Sequence, residues 1–268
     1  MRTFSIPPHV LKHWQLNPAD KANVAPIKAR VQALKKGTPE VSIVMPAYNE
    51  AENILQTLSS LSDSTTKFSV EIVVVDNNSK DATNAIATSL GVNCIRETTQ
   101  GITPARNRGL KEAKGKYILN ADADSIYPPD WIDEMVKPLA ASETDVALTY
   151  GRFAFIPVGS TGRGTYFFYE YMAEFTRWIN KTLREEAVNV YGFNSGFRRL
   201  QGLAVDSFNH PPGTNEDGFL AMKLRNKGFG KLHCVTQSNA MVWTTDRRLQ
   251  IDGGLWKATK KRMKRIVS

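Results

Sequence analysis

Two carboxylates stand two residues apart at Asp122 and Asp124, directly after the apolar run KYILNA at 116–121. Alternate residues of an extended segment point the same way, so both can face one divalent cation. Hard oxygen ligands suit Mg²⁺ or Mn²⁺, which keep several waters and take substrate phosphates. The same pair also reads as an acid-rich turn leading to the helix at Asp130. An EF-hand is excluded, because the sixth position counted from Asp122 is Tyr127, where glycine is needed. Asp76 ends the run VEIVVVD at 70–76. It can accept hydrogen bonds from a nucleobase or ribose, or cap the turn that follows, for which Asn78, Ser79 and Asp81 also qualify. Glu216 and Asp217 open a helix after Pro211-Pro212-Gly213. The helix dipole favours carboxylates there; beside an acceptor hydroxyl, such a carboxylate is a general base.

Other chemistries fail on spacing. Gly159, Gly162 and Gly164 give GxxGxG, not the GxGxxG of a dinucleotide fold. Gly109 to Lys116 is one residue too long for a phosphate loop, and Tyr117 replaces the Ser or Thr. With only four histidines in the chain, a His-rich zinc site is not expected. Cys94 and Cys234 lack partner ligands at zinc spacing, so reduced thiols in a cytosolic compartment are expected.

These residues need a scaffold. VSIVM at 41–45 reads as a strand, and Glu50 to Leu61 as a helix with Ile54, Leu55, Leu58 and Leu61 in one stripe. Strand 70–76, a helix from Asp81 to Ser89, strand 92–96, a helix from Pro104 to Ala113 and strand 116–121 follow. This alternation predicts an α/β fold with a mostly parallel central sheet and helices on both faces. In such sheets ligands sit beyond the carboxyl ends of the strands. Three polar clusters meet there: Pro46–Glu50, Asp76–Ser79 and Asp122–Asp124. Further on, VALTYGRFAF at 146–155 reads as one strand, Thr165 to Lys181 as an aromatic-rich helix, and Glu216 to Lys227 as a helix closed by Gly228.

Composition sets the class. With 41% hydrophobic and 23% charged residues, the chain is an ordinary globular one, not a disordered one. No apolar run is long enough to span a bilayer, and the start MRTFSIPPHV lacks a signal core. The net charge of +9 sits at the ends: residues 1–40 carry +5 and residues 245–268 carry +6, leaving 41–244 at −2. A short amphipathic helix over Ala25–Lys36, with Ile27, Val31 and Leu34 on one face, lies within the first of these. In the last, Trp256, Met263 and Val267 share a helical face among lysines and arginines. That pattern fits either a helix on an anionic membrane or one packed on the sheet.

Taken in order, VSIVMPAYNE (41–50), VVVDNNSKDAT (73–83), GITPARNRGLKEAKGKYILNADAD (101–124) and NED (215–217) resemble the inverting family 2 glycosyltransferases of the GT-A fold. The resemblance covers about 41–230. It implies a single GT-A, Rossmann-like domain at 41–244, with a nucleotide-binding half at 41–125 and an acceptor half at 126–244. A basic extension (1–40) and a basic tail (245–268) flank it. It further implies that Pro46, Tyr48, Glu50, Asp76, Arg106 and Asp122 bind the nucleotide, that Asp124 holds Mn²⁺ or Mg²⁺, and that Asp217 is the catalytic base. Asn194 and Glu216 would stand on the acceptor and sugar side, and Arg247 and Arg248 on the diphosphate. Many members carry two acidic residues where this chain has Asp76-Asn77, which loosens the inference about the base read. The implied partners are a UDP- or GDP-sugar donor and a glycan or lipid-linked acceptor, at a cytoplasmic site that an anionic membrane surface could adjoin. No nucleic-acid partner is expected, because the centre is lined with carboxylates.

Two other classes compete with that reading. A sugar-nucleotide nucleotidyltransferase would need a Gly-rich basic loop after the first strand, and PAYNE is neither. A non-catalytic module binding membranes or polyanions would use the basic ends alone.

Overall fold

The computed structural model describes residues 3–141, 144–251, 253–255 and 257, and of Arg248 the backbone alone. Helices α1 (Pro8–Trp14) and α2 (Val24–Leu34) precede the first strand. Then come β1 (Val41–Ala47), α3 (Ile54–Ser62), β2 (Val70–Asp76), α4 (Thr83–Ser89), β3 (Asn93–Arg96) and α5 (Ile102–Glu112). The middle of the chain forms β4 (Tyr117–Asn120), β5 (Ser125–Ile126), α6 (Trp131–Ala141), β6 (Val146–Gly151), β7 (Phe153–Ile156) and α7 (Arg163–Leu183). The last elements are β8 (Ser195–Arg198), α8 (Arg199–Ala204), α9 (Glu216–Asn226), β9 (Lys231–Val235), β10 (Val242–Thr245) and α10 (Arg247–Ile251).

Seven strands form the main sheet in the order β3-β2-β1-β4-β8-β6-β9. All neighbours are parallel except β8, which runs antiparallel to β4 and β6. The apolar runs explain this arrangement: every residue of β2 is buried, as expected of a strand covered on both faces. Ala47 pairs with Asp76, so β1 and β2 end flush. Strand β4 stops at Asn120, opposite Val44. This leaves Ala121–Asp124 free to turn beside the ends of β1 and β2.

A second sheet, ordered β5-β10-β7, positions the last part of the site. Strand β5 begins directly after Asp124, and β10 ends directly before Asp246-Arg247. Their pairing, Ser125 with Thr244 and Ile126 with Trp243, therefore brings Arg247 to Asp124 across more than 120 residues of chain.

The predicted strand at 146–155 is two strands in different sheets. The chain changes sheet at Gly151-Arg152, where Asn194 holds the corner. Its backbone carbonyl accepts from Gly151 N at 2.9 Å, and its side-chain amide donates to the Arg152 carbonyl at 2.8 Å. A Cβ on Gly151 would overlap the Asn194 amide, so glycine is required at this corner.

The basic stretch before β1 is packed along the domain. Ile27, Val31 and Leu34 of α2 are buried in the same cluster as Ile54, Leu58 and Leu61 of α3. Each such side chain stabilises the fold by roughly 1.5–3 kcal/mol, so this segment belongs to the folded unit. Cys94 and Cys234 are both free thiols. Among the described residues, no helix is long and apolar enough to cross a membrane.

Candidate active site

Two loops at the ends of β1 and β2 lock together. Asn49 N donates to Ser79 Oγ at 3.0 Å, and Lys80 N donates to Asn49 Oδ1 at 2.8 Å. Glu50 N donates to Thr83 Oγ1, and Ala51 N to Asp81 Oδ2. Asn49 and Asn78 take positive φ values of 53° and 65°, a conformation Asn tolerates better than most residues. Asn77 fixes a third loop: its amide donates to the carbonyls of Glu97 and Thr99, and its Oδ1 accepts from Gly101 N at 2.8 Å. That loop leads into α5.

Between these loops and the turn after β4 lies a cavity of about 270 Å³. Pro46 lines it from β1, Tyr48 and Glu50 from the loop after β1, Asp122 and Asp124 from the turn, and Arg247 from the start of α10. Asn77, Gln100 and Gly101 complete its wall from the β2 side. Six of the residues expected to bind donor or metal therefore converge.

The two carboxylates of the Asp122–Asp124 turn do not face one point. The segment is a turn, not the extended strand expected, and its side chains divide. The backbone N of Asp122 donates to the Tyr127 hydroxyl at 2.9 Å, and that hydroxyl donates to the Phe193 carbonyl at 3.0 Å. Asp122 Oδ1 then meets Arg106 Nη2 at 3.1 Å. Asp124 Oδ2 accepts from Thr245 Oγ1 and from Arg247 Nη2, each at 3.2 Å. The Arg247 guanidinium also pairs with Glu50. Burial, then the charges of Asp122 and Glu50, push the Asp124 carboxyl up to about 6, against the opposing pull of Arg247 and Thr245.

Arg106 lies under the cavity floor, 1% exposed. Its Nε stands 3.3 Å from Asp217 Oδ1, and it bridges that residue to Asp122. Burial opposes its charge, but Asp217 and Asp122 more than offset this and raise its pKa. Asp217 sits in the first turn of α9, whose N-cap Asn215 accepts from Gly218 N at 2.6 Å. Burial raises the Asp217 carboxyl to about 7; Arg106 pulls it down, while Glu216 and Asp122 push it further up. Asp217 Oδ1 has no hydrogen-bond partner within the protein, nor have Nε and Nη1 of Arg106. A buried acid raised toward neutrality, whose Oδ1 is held by the ion pair with Arg106 and by no hydrogen bond, suits proton transfer. Glu216 is its half-buried neighbour.

Besides Arg106, Glu216 and Asp217, two further residues expected in the site, Asp76 and Asn194, lie outside the cavity wall. Asp76, 4% exposed, accepts from Ser79 N at 3.0 Å and from Asn84 Nδ2 at 3.4 Å, so its carboxylate is held in the turn. Asn194 is buried at the sheet corner, with its Oδ1 receiving Trp131 Nε1 at 2.9 Å. The Arg248 side chain and the residues Trp256, Met263 and Val267 lie outside the described residues.

Sequence reasoning missed Gln100, Tyr127 and Gly192, and gave Asn77 only as a member of the Asp76–Ser79 cluster. A Cβ on Gly192 would overlap both Arg106 and Asp217. Glycine there lets the 191–193 segment cross the buried pair, and no local pattern announces it.

Among the described residues, no group of three or more His, Cys, Asp or Glu forms a ready-made metal cage. Mg²⁺ and Mn²⁺ do not require one, since one or two carboxylates plus phosphate oxygens suffice. The donor set fits such an ion: all-oxygen ligands, with Asp124 carrying two neighbouring carboxylates that favour added positive charge.

The sequence profile of glycosyl transferase family 2 matches residues 42–200, more than half of the chain, and the chain belongs to that family. Residues of this chain are 31% identical over 135 positions to glycosyltransferase AglE of Haloferax volcanii, covering 48% of this chain and 44% of that protein. They are 33% identical over 114 positions to a dolichol-phosphate mannosyltransferase of Pyrococcus furiosus, covering 41% and 32%. The matches thus span less than half the length of these relatives. Among solved structures, the fold is similar to mannosyltransferase PcManGT from Pyrobaculum calidifontis in complex with GDP-Man and Mn²⁺. Its TM-score is 0.56 at 20% identity, covering 88% of this chain and 66% of that one. S. aureus TarS in complex with UDP-GlcNAc gives a TM-score of 0.58 at 19% identity, covering 77% and 58%. The architecture is that of the GT-A glycosyltransferases.

Proposed function

We propose that the protein transfers a sugar from a UDP- or GDP-sugar to the hydroxyl of a glycan or lipid-linked acceptor, with inversion at the anomeric carbon. One observation carries this reading. A cavity at the strand ends holds Glu50, Asp122, Asp124 and Arg247, and beneath it Arg106 connects Asp122 to an acid raised to about 7, Asp217. The first half of the domain (41–125) supplies the nucleotide side. The second half (126–244) supplies the base.

In this reading Pro46, Tyr48 and Glu50 flank the nucleotide, and the Asn77–Gln100 wall closes its other side. Asp217 takes the proton of the acceptor hydroxyl. The freed oxygen attacks the anomeric carbon from the face opposite the nucleotide. The bond from that carbon to the diphosphate oxygen breaks, and its electron pair leaves with the nucleoside diphosphate. Arg247 stands where positive charge offsets the charge developing on the diphosphate. Asp124, with Asp122 and Glu50 beside it, would hold Mn²⁺ or Mg²⁺, whose contribution when bound is Lewis-acid stabilisation of that diphosphate. Arg106 stays protonated and keeps Asp217 and Asp122 in place.

Thermal denaturation with UDP, GDP and other nucleoside diphosphates, with and without Mn²⁺, tests the reading. A ligand at about 100 times its Kd stabilises by roughly 2.7 kcal/mol, a readily seen shift. Stabilisation by UDP or GDP that requires the metal supports the reading and names the donor base. No response to any nucleoside diphosphate overturns it. Pyrophosphate release from a nucleoside triphosphate and a sugar phosphate would favour a nucleotidyltransferase instead.

A further inference from the structure

Two arginines meet the carboxylates of the cavity, and they are held differently. The Arg106 side chain is 2% exposed and is fixed between Asp122 and Asp217. The Arg247 side chain is 41% exposed. One nitrogen of its guanidinium, Nη2, bridges Glu50 Oε1 and Asp124 Oδ2, the latter at 3.2 Å. The backbone behind it is anchored, because Asp246 is buried and accepts from Val158 N, the Tyr166 hydroxyl and Gln250 Nε2. A fixed backbone under a long, half-exposed side chain leaves the guanidinium free to change partners. Water can solvate it while it does.

The oxygens it bridges belong to carboxylates that the transferase reading assigns to the divalent cation. Asp124 Oδ2 accepts from both Thr245 Oγ1 and Arg247 Nη2. That uses its two lone pairs, so an ion taking this oxygen displaces one donor. The threonine hydroxyl is neutral, whereas the guanidinium repels a cation, so Arg247 is the one to leave. Charge agrees with this. When Glu50 and Asp124 are ionised, two negative charges share the one positive charge of Arg247, and a divalent ion balances them in full. The released guanidinium then needs another anion. A diphosphate accepts its planar fork as well as a carboxylate does.

We propose that Arg247 is an exchangeable stand-in for the cation: it caps Glu50 and Asp124 until metal and donor arrive, then passes to the donor diphosphate. This inference rests on the transferase reading. Its consequence is a coupling between the two ligands. Metal frees the arginine that the diphosphate needs, and the diphosphate draws off the arginine that competes with the metal. Each therefore raises the affinity of the other by the same factor, and Arg247 supplies part of that factor.

The test is calorimetric titration of the full chain with MnCl₂, first alone and then with saturating UDP or GDP. The variants are Arg247→Met, which keeps the length of the side chain without its charge, and Arg247→Lys, which keeps the charge. Melting temperatures verify that both fold. Without nucleotide, Arg247→Met is expected to bind Mn²⁺ roughly fivefold more tightly, the weight of a part-exposed ion pair, and Arg247→Lys to bind it as the wild type does. With nucleotide bound, Arg247→Met should gain nothing, so the coupling shrinks. Unchanged or weaker Mn²⁺ binding by Arg247→Met without nucleotide overturns the exchange and leaves the transferase reading standing. An equal gain with and without nucleotide also overturns it, since Arg247 would then act on the metal through its field alone. So does equal tightening in the Met and Lys variants. Wild-type protein that binds no Mn²⁺ with any nucleoside diphosphate overturns the exchange and that reading together.

Discussion

Arg106 Nε stands 3.3 Å from Asp217 Oδ1, and both side chains are buried. A buried guanidinium needs its carboxylates, because desolvating an unpaired charge costs several kcal/mol. Arg106 has two, and the second, Asp122, is part of the cavity wall. The pair thus ties the proposed base to the donor side of the site. Replacing Asp217 by Asn keeps the shape but removes the proton acceptor. We expect kcat to fall by roughly 10²–10⁴, with the nucleotide-induced thermal shift retained. Near-wild-type turnover in Asp217→Asn would take this residue out of the role.

The pH dependence follows from the same carboxyl. Asp217 is raised to about 7, chiefly by burial. As a base it must be ionised, so activity is lost as pH falls through that value and levels off above it. The expected kcat/KM profile loses about tenfold per pH unit on its acid limb. Asp217→Asn should flatten that limb. A wild-type plateau extending unbroken to pH 5 would contradict the assignment.

Much of this was readable from the chain, and the rest depended on distant partners. The run VEIVVVD announced a strand covered on both faces, and each of its residues is buried. Ile27, Val31 and Leu34 announced the face of α2 that packs inward. Asp122 and Asp124 were legible as a pair beyond a strand, but not their divergence. That depends on the Tyr127 hydroxyl receiving Asp122 N, and on Ser60 Oγ, 67 residues away, receiving Tyr127 N. The division of 146–155 into two strands depends likewise on Asn194, more than 40 residues further on. Asp76 satisfied two local rules, and in the structure its oxygens go to Ser79 and Asn84. Gly192 carried no signal because its role is steric and three-dimensional.

Gly192 offers a direct test of how tightly the buried pair is held. A Cβ at this position would overlap the Arg106 guanidinium and the Asp217 carboxylate at once. Neither can withdraw without breaking the ion pair. Gly192→Ala is expected to destabilise by about 1–3 kcal/mol, the usual cost of overpacking. It should also lower kcat in the fraction that remains folded. Calorimetry and steady-state rates measure both. An alanine variant with unchanged melting temperature and rate would show that the segment shifts freely.

The final prediction concerns how Arg247 is held over the cavity. Asp246 is completely buried and accepts three hydrogen bonds: from Val158 N at 2.9 Å, the Tyr166 hydroxyl at 2.5 Å and Gln250 Nε2 at 2.9 Å. These anchor the first residues of α10 between the β7–α7 loop and α7. Arg247, one residue later, reaches Asp124 and Glu50 from that anchor. Tyr166→Phe removes one hydrogen bond to a charged acceptor, worth roughly 1.5–3 kcal/mol, without touching the cavity. The anchored segment should loosen, so KM for the donor should rise while kcat at saturation changes little. Arg247→Ala should weaken donor binding further. Combining the two substitutions should then add little, because both act through the same guanidinium. Fully additive losses in donor affinity would mean that Tyr166 acts through some other route than Arg247.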